Sequence, residues 1–434
     1  MQRDKDMNMP REEIMQMIED DDVKFIRLQF SDFFGVLRNI AVTGSEIVKA
    51  MDGRCSVDGY HILGAREFGL RNIYLIPDPD TFAILPWRPQ QGKVARFLCD
   101  LADEKGNLIT PSPRFILRNV LKRAKSMGFE FEMNPECEFF LFDTDEDGYP
   151  TNTTKERALY LDMAPLDSGE NARRDIIYAL EELGFEMESS HHEDAPAQHA
   201  VAFRRAKGVK MADQILTLRN TVRTIAGRHG FHATFMPKPR TDLPGSAMAL
   251  NIVAADGSKD KITDKSDPTG LSEDGKHFLA GILDHMAAMT AIANPIVNSY
   301  KRSGGRFYTE KGIYWSLDDY NAPVRVMKGE NGKSAIEWEL PDGATNPYLV
   351  ISCMIAAGLD GVEKKTSLPE PDTSTGTLPR TLRDAIDVFS GDKFMNEVCG
   401  ENYVRIYSDK KACEWERYAG EVTDWEIREY LHRI

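Results

Sequence analysis

The stretch Asn134-Pro-Glu-Cys-Glu-Phe-Phe-Leu-Phe142 decides how this chain of 434 residues folds. It places Glu136 and Glu138 two residues apart at the start of an apolar run. Because residues two apart on a β-strand point to the same face, the stretch predicts a strand with two adjacent carboxylates. Such carboxylates raise each other's pKa unless a cation lies between them, and oxygen-rich clusters suit Mg²⁺ or Mn²⁺. The alternative is a solvated edge strand with both acids facing outward.

The N-terminal side of this stretch predicts a small α+β domain. Val23–Phe30 alternates between apolar and polar residues, which predicts a strand, and Gly35–Val42 follows as its hairpin partner. Lys93–Asp100 reads as a further strand. The polar segment that follows contains Gly106, Pro111 and Pro113 and predicts a linker. We therefore predict two domains, covering residues 1–105 and 110–434.

The C-terminal side is predominantly helical. Its apolar residues recur with the period of an amphipathic or buried helix, and Gly184 is placed to end one of these helices. Helices are predicted at residues 113–127, 172–183, 213–230, 276–293, 347–360 and 413–434.

Composition and charge exclude several classes of protein. Lys and Arg total 54 and Asp and Glu total 69, so the formal net charge is −15, which makes nucleic acid and anionic membrane surfaces poor partners. The longest apolar run, Leu349–Leu359, is too short to span a bilayer, and the N-terminus lacks the apolar segment of a secretory signal. The six cysteines are scattered without a Cys-x-x-Cys pair. We expect reduced thiols in a cytoplasmic protein.

Two further motifs carry carboxylates or imidazoles. His191-His192-Glu193 is not the zinc helix His-Glu-x-x-His, and a polar loop is its plain interpretation. Glu337-Trp-Glu339 repeats the two-residue spacing of the first pair. The nearby Gly329–Ser334 ends like a phosphate-binding loop, but Met327 stands where that motif requires glycine.

Nine segments in a fixed order extend these motifs over nearly the whole chain. They are Phe25-Ile-Arg-Leu-Gln-Phe, Val94-Ala-Arg-Phe, the stretch 134–142, Asp162-Met-Ala-Pro, Gly169-Glu-Asn-Ala-Arg-Arg-Asp, His191-His-Glu, Ala233-Thr-Phe-Met-Pro-Lys-Pro, Asn298-Ser-Tyr-Lys-Arg and Asn346-Pro-Tyr. Together they resemble type I glutamine synthetase, in its shorter subtype without the adenylylation segment. The resemblance implies an N-terminal β-grasp domain and a C-terminal catalytic domain on a curved antiparallel sheet. It also implies a homo-oligomer, a dodecamer of two hexameric rings with each active site between neighbouring subunits.

The family reaction phosphorylates the γ-carboxylate of glutamate with ATP, and ammonia then displaces phosphate. Two divalent ions, Mg²⁺ or Mn²⁺, neutralise the transferred group, and the family gives each ion three protein ligands. The resemblance assigns Glu138 and Glu193 to the first ion and Glu136 and Glu337 to the second. The third ligand of each ion is replaced, by Ala200 and Ala249 respectively. Because alanine donates nothing, we expect reduced metal affinity.

The amino-acid pocket implied by the resemblance has also diverged. Its expected positions here are Gly245, Tyr308, Tyr320 and Glu339. Tyr308 stands for a flap glutamate, whereas Tyr320 and Glu339 stand for arginines that grip the substrate carboxylate. Because arginine is the usual carboxylate clamp, a glutamate in its place repels that group. We expect glutamate to bind poorly.

The nucleotide side matches the family better. The resemblance assigns it to Glu188, Phe203, Arg302, Arg325 and Lys333. Core packing is the alternative for Phe203 and a structural ion pair for Arg302. Asn251 and Val253 replace two family residues that touch ATP, which counts against ATP binding.

The ammonium side depends on a neighbouring subunit. Asp58 matches the aspartate that deprotonates ammonium across the subunit boundary. The alternative is that Asp58 is only a turn residue before Gly59.

Three hypotheses follow. The first is a ligase of this family that acts on a different amine or acid. The second is a pseudoenzyme, a non-catalytic oligomeric scaffold or a regulator of a catalytic glutamine synthetase paralogue. The third, ordinary glutamine synthesis, is the least favoured, because the metal and glutamate positions are altered. The sequence is compatible both with an enzyme and with a non-catalytic protein.

Overall fold

The N-terminal part of the computed structural model is a mixed sheet flanked by short helices. The structure describes residues 9–88, 91–303, 312–329 and 332–434. The elements of this part are α1 (Arg11–Asp20), β1 (Val23–Ser31), β2 (Leu37–Thr43), α2 (Ile47–Met51), β3 (Cys55–Asp58), β4 (Asn72–Pro77), β5 (Ala83–Ile84) and β6 (Lys93–Ala102).

The sheet order is β2-β1-β6-β4-β3, with β5 also on β6. The predicted hairpin is confirmed, since β1 and β2 pair antiparallel from Phe25 opposite Thr43. β1 and β6 pair in parallel at the centre of this sheet. The alternation in β1 buries Ile26, Leu28 and Phe30, which anchors the strand to the core.

The C-terminal part contains a larger sheet with helices. Its elements are α3 (Pro113–Ser126), β7 (Glu130–Asp143), α4 (Glu170–Glu182), β8 (Met187–His192), β9 (Gln198–Phe203), β10 (Ala206–Lys207), α5 (Lys210–Arg228), β11 (Phe231–Thr234), β12 (Met248–Asp256), β13 (Lys259–Asp260), α6 (Glu273–Ala293), α7 (Ser299–Ser303), β14 (Trp315–Ser316), β15 (Val324–Lys328), β16 (Ser334–Trp338), α8 (Pro347–Lys364), α9 (Leu382–Gly391), α10 (Lys393–Cys399), α11 (Glu401–Ala419) and α12 (Asp424–Tyr430).

This sheet runs β14-β15-β16-β12-β7-β9-β8 and is antiparallel except for β14 with β15. The predicted strand is therefore central, because β7 lies between β12 and β9. The edge-strand alternative for Glu136 and Glu138 is wrong. The observed strand also begins at Glu130, before the predicted stretch, and continues through Pro135.

Helix α8 is buried along nearly its whole length and packs against α6 and α3. Its start follows the usual pattern, since Asn346 accepts a hydrogen bond from the backbone N–H of Tyr348 and Pro347 occupies the first turn. Glycines bring α6 and α8 close together. A Cβ on Gly281 would collide with the carbonyl oxygen of Ala357, and one on Gly358 would collide with the ring of Phe278.

The two parts are joined by a buried ion network around Arg114. Its guanidinium pairs with Asp78 at 2.7 Å, Asp100 at 2.8 Å and Asp213 at 2.9 Å. Asp78 and Asp100 belong to the N-terminal part and Asp213 lies on α5, so Arg114 contacts carboxylates of both parts, and Arg118 on the same helix also pairs with Asp78 and Asp100. Tyr348 on α8 donates a hydrogen bond to Asp213 at 2.6 Å.

The remaining expectations for the fold have mixed outcomes. All six cysteines are free, as predicted. The prediction of one helix over residues 413–434 is wrong, because α11 ends at Ala419 and α12 starts after Thr423. None of the described helices has both the length and the hydrophobicity needed to cross a bilayer.

Candidate active site

One face of the large sheet collects most of the predicted metal ligands. Strand register places Glu138 opposite Ala200, and Ala200 opposite His191 on the next strand. Glu136 is opposite Ala249 on its other side. Since paired residues share a face, these side chains point into the same cleft. Both alanines sit directly beside a carboxylate of that cleft.

Glu136, His191 and Glu193 converge into one group. Their ligand atoms all lie within 4.8 Å of one another. Nε2 of His191 is 2.8 Å from Oε1 of Glu193 and 3.9 Å from Oε1 of Glu136. The hydrogen bond to Glu193 raises the pKa of His191. Burial raises the pKa of Glu136, against the lowering effect of His191.

Glu138 is held by donors on neighbouring chain segments. Its Oε2 accepts the backbone N–H of Ala247 at 2.9 Å and the side-chain amide of Gln198 at 3.1 Å. Burial, followed by repulsion from Glu193, nevertheless raises its pKa to about 8. The carboxylate is therefore held in place, and the two hydrogen bonds and the charge of Arg302 offset only part of the cost of burying it.

Glu337 and Glu339 share one arginine. Nη2 of Arg325 lies 2.5 Å from Oε2 of Glu337 and 2.9 Å from Oε1 of Glu339. Both glutamates are buried, and the exposed ring of Tyr320 covers the guanidinium with its centroid 4.9 Å from Cζ. Burial and repulsion from Glu339 still raise the pKa of Glu337 to about 7.

A buried polar layer fixes the loop that carries Glu193. The two ring nitrogens of His192 lie 2.7 Å from the carbonyl oxygen of Glu193 and 2.7 Å from Oε1 of Glu156. Because both neighbours are acceptors, His192 donates twice and is an imidazolium. Glu156 also accepts the N–H and the hydroxyl of Ser168, and these bonds together with His192 lower its pKa to about 2 despite burial.

The same layer contains a second group with metal-like spacing, Glu156, Asp167, His192 and His199. Nη1 of Arg173 lies 2.7 Å from Asp167 and 2.8 Å from Nδ1 of His199. Burial and Arg173 lower the pKa of His199 to about 3, so its ring is neutral. Arg173 and His192 already balance the charge of this group, which makes it a structural support.

The predicted nucleotide residues have different surroundings. Phe203 has no exposed surface and packs edge-on against Phe185, which supports the core-packing alternative over a face open to adenine. Glu188 and Lys333 are exposed. Arg302 donates to the carbonyl oxygen of Leu340 at 2.5 Å.

Two of the remaining predicted positions are described, Gly245 beside the cleft, where its carbonyl accepts from Gln198, and Asp58 in the N-terminal part. Gly245 packs so tightly that a Cβ would meet the side chain of Arg302. Asp58 is exposed at the end of β3, where it accepts the N–H of Tyr60 at 2.9 Å, as a turn residue does. Tyr308 lies outside the described residues.

Three contributors to the cleft were not predicted as site residues. His191 completes the group with Glu136 and Glu193, Gln198 holds Glu138, and Glu156 holds the loop through His192. The motif His191-His192-Glu193 was the available sequence signal for His191. The other two contacts depend on chain segments far apart in sequence.

The cleft suits a divalent cation. Carboxylate oxygens are preferred by Mg²⁺ and Mn²⁺, and an imidazole adds a donor that Mn²⁺ and later transition metals accept. The raised pKa values of Glu136, Glu138 and Glu337 report carboxylates that a cation would stabilise in the charged form. The donor chemistry therefore fits the metal ions of the resemblance.

Comparison with known proteins gives the same family for both parts of the chain. The family profile "Glutamine synthetase, beta-Grasp domain" matches residues 22–104, and "Glutamine synthetase, catalytic domain" matches residues 110–430. Glutamine synthetase of Clostridium saccharobutylicum is 39% identical over 98% of this chain and 99% of the relative. Glutamine synthetase of Thermus thermophilus is 37% identical, with 98% and 99% covered.

Solved structures agree in fold. GmaS without ligand superimposes with a TM-score of 0.86 at 27% identity, covering 96% of this chain and 99% of that one. A GmaS complex with ADP gives 0.86 at 26% identity, covering 98% and 100%. The predicted α+β fold, a β-grasp domain followed by this type of catalytic domain, is confirmed.

Proposed function

Because this chain belongs to the glutamine synthetase family, we propose that it is an ATP-dependent ligase joining a carboxylate to an amine, with ordinary glutamine synthesis weak or absent. Bound ATP and divalent cations would supply the phosphoryl group and the charge neutralisation that activate a carboxylate. Glu136, Glu138, Glu193 and Glu337 would hold the cations. The ADP complex of the similar GmaS structure supports a nucleotide site in this fold.

Glu339 carries the proposal of an altered substrate. The family resemblance places a substrate-gripping arginine there, and the structure has a buried carboxylate that shares Arg325 with Glu337. A buried carboxylate repels the carboxylate of an amino acid, whereas it attracts a cation and can accept a hydrogen bond from a neutral donor. The chain's own residues thus bind and orient a substrate less acidic than glutamate.

Phosphate release tests this function. The purified protein is incubated with ATP, Mg²⁺ or Mn²⁺, and a panel of amines paired with glutamate and with other carboxylic acids. We expect turnover at least about tenfold above background with one pair other than glutamate and ammonia. Glutamine formation at the rate of the Clostridium relative would overturn the proposal of a changed substrate, and no turnover with any pair would overturn the ligase.

The variant Ala200→Glu with Ala249→His separates metal binding from substrate choice. Restoring both donors should tighten Mn²⁺ binding, because each alanine lies beside a cleft glutamate. Glutamine synthesis should stay low, since Tyr320 and Glu339 are unchanged. Glutamine production by this variant would contradict the role of the pocket.

A non-catalytic scaffold or regulator is the second candidate. Two observations favour it, the burial of Phe203 in the core and the internal pairing of Glu337 with Arg325. Co-expression with a catalytic glutamine synthetase followed by native mass measurement tests the regulator. Mixed particles would support it, and particles containing only one kind of chain would count against it.

We also propose the organisation that the family resemblance implies. Residues 1–105 and 110–434 form the two domains, and many copies assemble as a homo-oligomeric dodecamer. The exposed position of Asp58 supports a role toward a neighbouring subunit.

A further inference from the structure

We propose that the cleft binds a single divalent transition-metal ion through Glu136, His191 and Glu193, and that the guanidinium of Arg325 takes the place of a second ion between Glu337 and Glu339. This inference rests on the proposed function, because it concerns the same cleft. It changes the expected stoichiometry from two ions to one, and it assigns a nitrogen ligand.

The single-ion site follows from the side chains that converge in the cleft. Glu136 and Glu193 were expected to serve different ions, but their oxygens lie within 4.8 Å of each other and of Nε2 of His191. One ion can therefore reach all three without movement of the strands. Ala200 lies between His191 and Glu138 in the register, so no larger side chain separates the imidazole from the cleft.

The support beneath this group is rigid. His192, adjacent to His191, is buried and bound at both ring nitrogens, to Glu193 and to Glu156. The carbonyl hydrogen bond fixes the backbone of Glu193, and the bond to Glu156 fixes the strand end. Ligands held in this way lose little conformational entropy when an ion binds.

The replacement of a second ion by a guanidinium follows from the position of Arg325. Its guanidinium contacts the predicted metal ligand Glu337 and the adjacent Glu339, and the ring of Tyr320 covers it. An arginine between two buried carboxylates supplies the positive charge that an ion would otherwise supply. Ala249 stands where the family has a histidine ligand for that ion. An ion competing for Glu337 would have to displace a partly buried guanidinium and would have one protein ligand fewer to do so.

The donor set predicts which metals bind. Imidazole with two carboxylates favours Mn²⁺, Co²⁺ and Zn²⁺ over Mg²⁺, which prefers oxygen ligands only. We therefore expect Mg²⁺ to compete poorly with Mn²⁺ at this site.

A titration with Mn²⁺ tests the proposal. The full chain is titrated in the absence of nucleotide, and electron paramagnetic resonance measures the free ion at each step. We expect one Mn²⁺ per chain. His191→Gln should weaken binding at least about tenfold, since even outer-shell partners of metal ligands cost that much. His232→Gln, a histidine on β11 away from the group, is the matched control and should leave binding unchanged.

Arg325→Gln tests whether the guanidinium replaces a second ion. Releasing Glu337 and Glu339 should admit a second Mn²⁺, whereas Arg204→Gln, at an exposed arginine, should not. Two ions in the unmodified chain, or still one ion in a folded Arg325→Gln, would overturn the role of Arg325. Unchanged binding in His191→Gln, or no Mn²⁺ bound at millimolar concentration, would overturn the site. Because no ATP is present, these outcomes are independent of whether the ligase activity exists.

Discussion

Glu138 shows how a well-positioned carboxylate can destabilise the fold that holds it. Its pKa is raised to about 8 in the folded chain by burial and by Glu193, despite two hydrogen bonds. Between the ordinary pKa near 4.5 and that value, the folded state binds more protons than the unfolded state. The free energy of unfolding therefore falls as pH rises through this window.

Glu138→Gln should remove this dependence in metal-free protein. We expect the variant to be more stable than the unmodified chain by about 4 kcal/mol at pH 8.5 and equally stable at pH 4.5. Urea unfolding at the two pH values measures the difference. Glu132→Gln, on the same strand and paired with Lys207 outside the cleft, is the control. A gain that is equal at both pH values would contradict the explanation.

The pair of Glu156 and His192 should have the opposite effect on stability. The lowered pKa of Glu156, about 2, contributes stability that is present above its ordinary value and is lost as pH falls toward 2. The raised pKa of His192 contributes stability that is present below its ordinary value and is lost as pH rises through the raised one. The pair thus stabilises most at mildly acid pH.

Glu156→Gln should cost about 3–5 kcal/mol at pH 6, because it leaves a buried imidazolium without its carboxylate. Thermal unfolding measures this loss. Adding His192→Gln to the variant should cost little more, since the two residues act as one pair. A further loss equal to that of the first substitution would show that they act independently. Glu146→Gln, at an exposed loop position, is the control.

Side-chain alternation could predict the cleft only in part. The spacing of Glu136 and Glu138 was sufficient to place both on one face, because it depends on a single strand. The sharing of Arg325 between Glu337 and Glu339 depends on the pairing of β15 with β16, which no local pattern encodes. The burial of Phe203 likewise depends on Phe185, which lies in the connection between α4 and β8.

At the scale of elements, long periodic segments were predicted well and their ends less well. α5, α6 and α8 fall where the apolar period predicts them, because burial of one face or all faces dictates the spacing. The tail was predicted as one helix because its composition is helical throughout. Thr423 and Glu426 form a capping box that starts a new helix there. This four-residue signal is local, so the helical composition of the whole tail does not reveal it.

The contact of α6 with α8 gives a prediction for glycine. Gly281→Ala should destabilise the chain by about 1–3 kcal/mol, because the added methyl group would collide with the backbone of α8 at Ala357. Gly227→Ala, in the last turn of α5 with open space around it, should instead stabilise by about 0.5–1 kcal/mol. Guanidinium unfolding compares the two. Equal effects would show that the helix contact tolerates a wider spacing.

At the scale of the whole molecule, Arg114 connects the two parts of the chain. Its guanidinium is nearly inaccessible and contacts Asp78, Asp100 and Asp213. Arg114→Met should lower stability by about 3–5 kcal/mol, because three partly or fully buried carboxylates lose their common partner. Differential scanning calorimetry should show one unfolding transition becoming two, as the N-terminal part separates first. Arg123→Met, whose ion pair with Glu363 is exposed, should change little.

The exposed apolar residues near the C-terminus lead to a prediction about how the chains assemble. Val422, Trp425 and Leu431 are close in sequence and are 72%, 55% and 62% exposed in the single chain, and we expect them to be covered in an assembly. We expect light scattering to give twelve chains of 49.0 kDa in each particle. Trp425→Ser combined with Leu431→Ser should yield smaller particles, because burying two serines between subunits releases less hydrophobic free energy than burying tryptophan and leucine. Val388→Ser, a single exposed valine on α9, should leave the particle mass unchanged. A monomer in the unmodified protein would contradict the assembly, and a double variant that keeps twelve chains would place its contacts elsewhere.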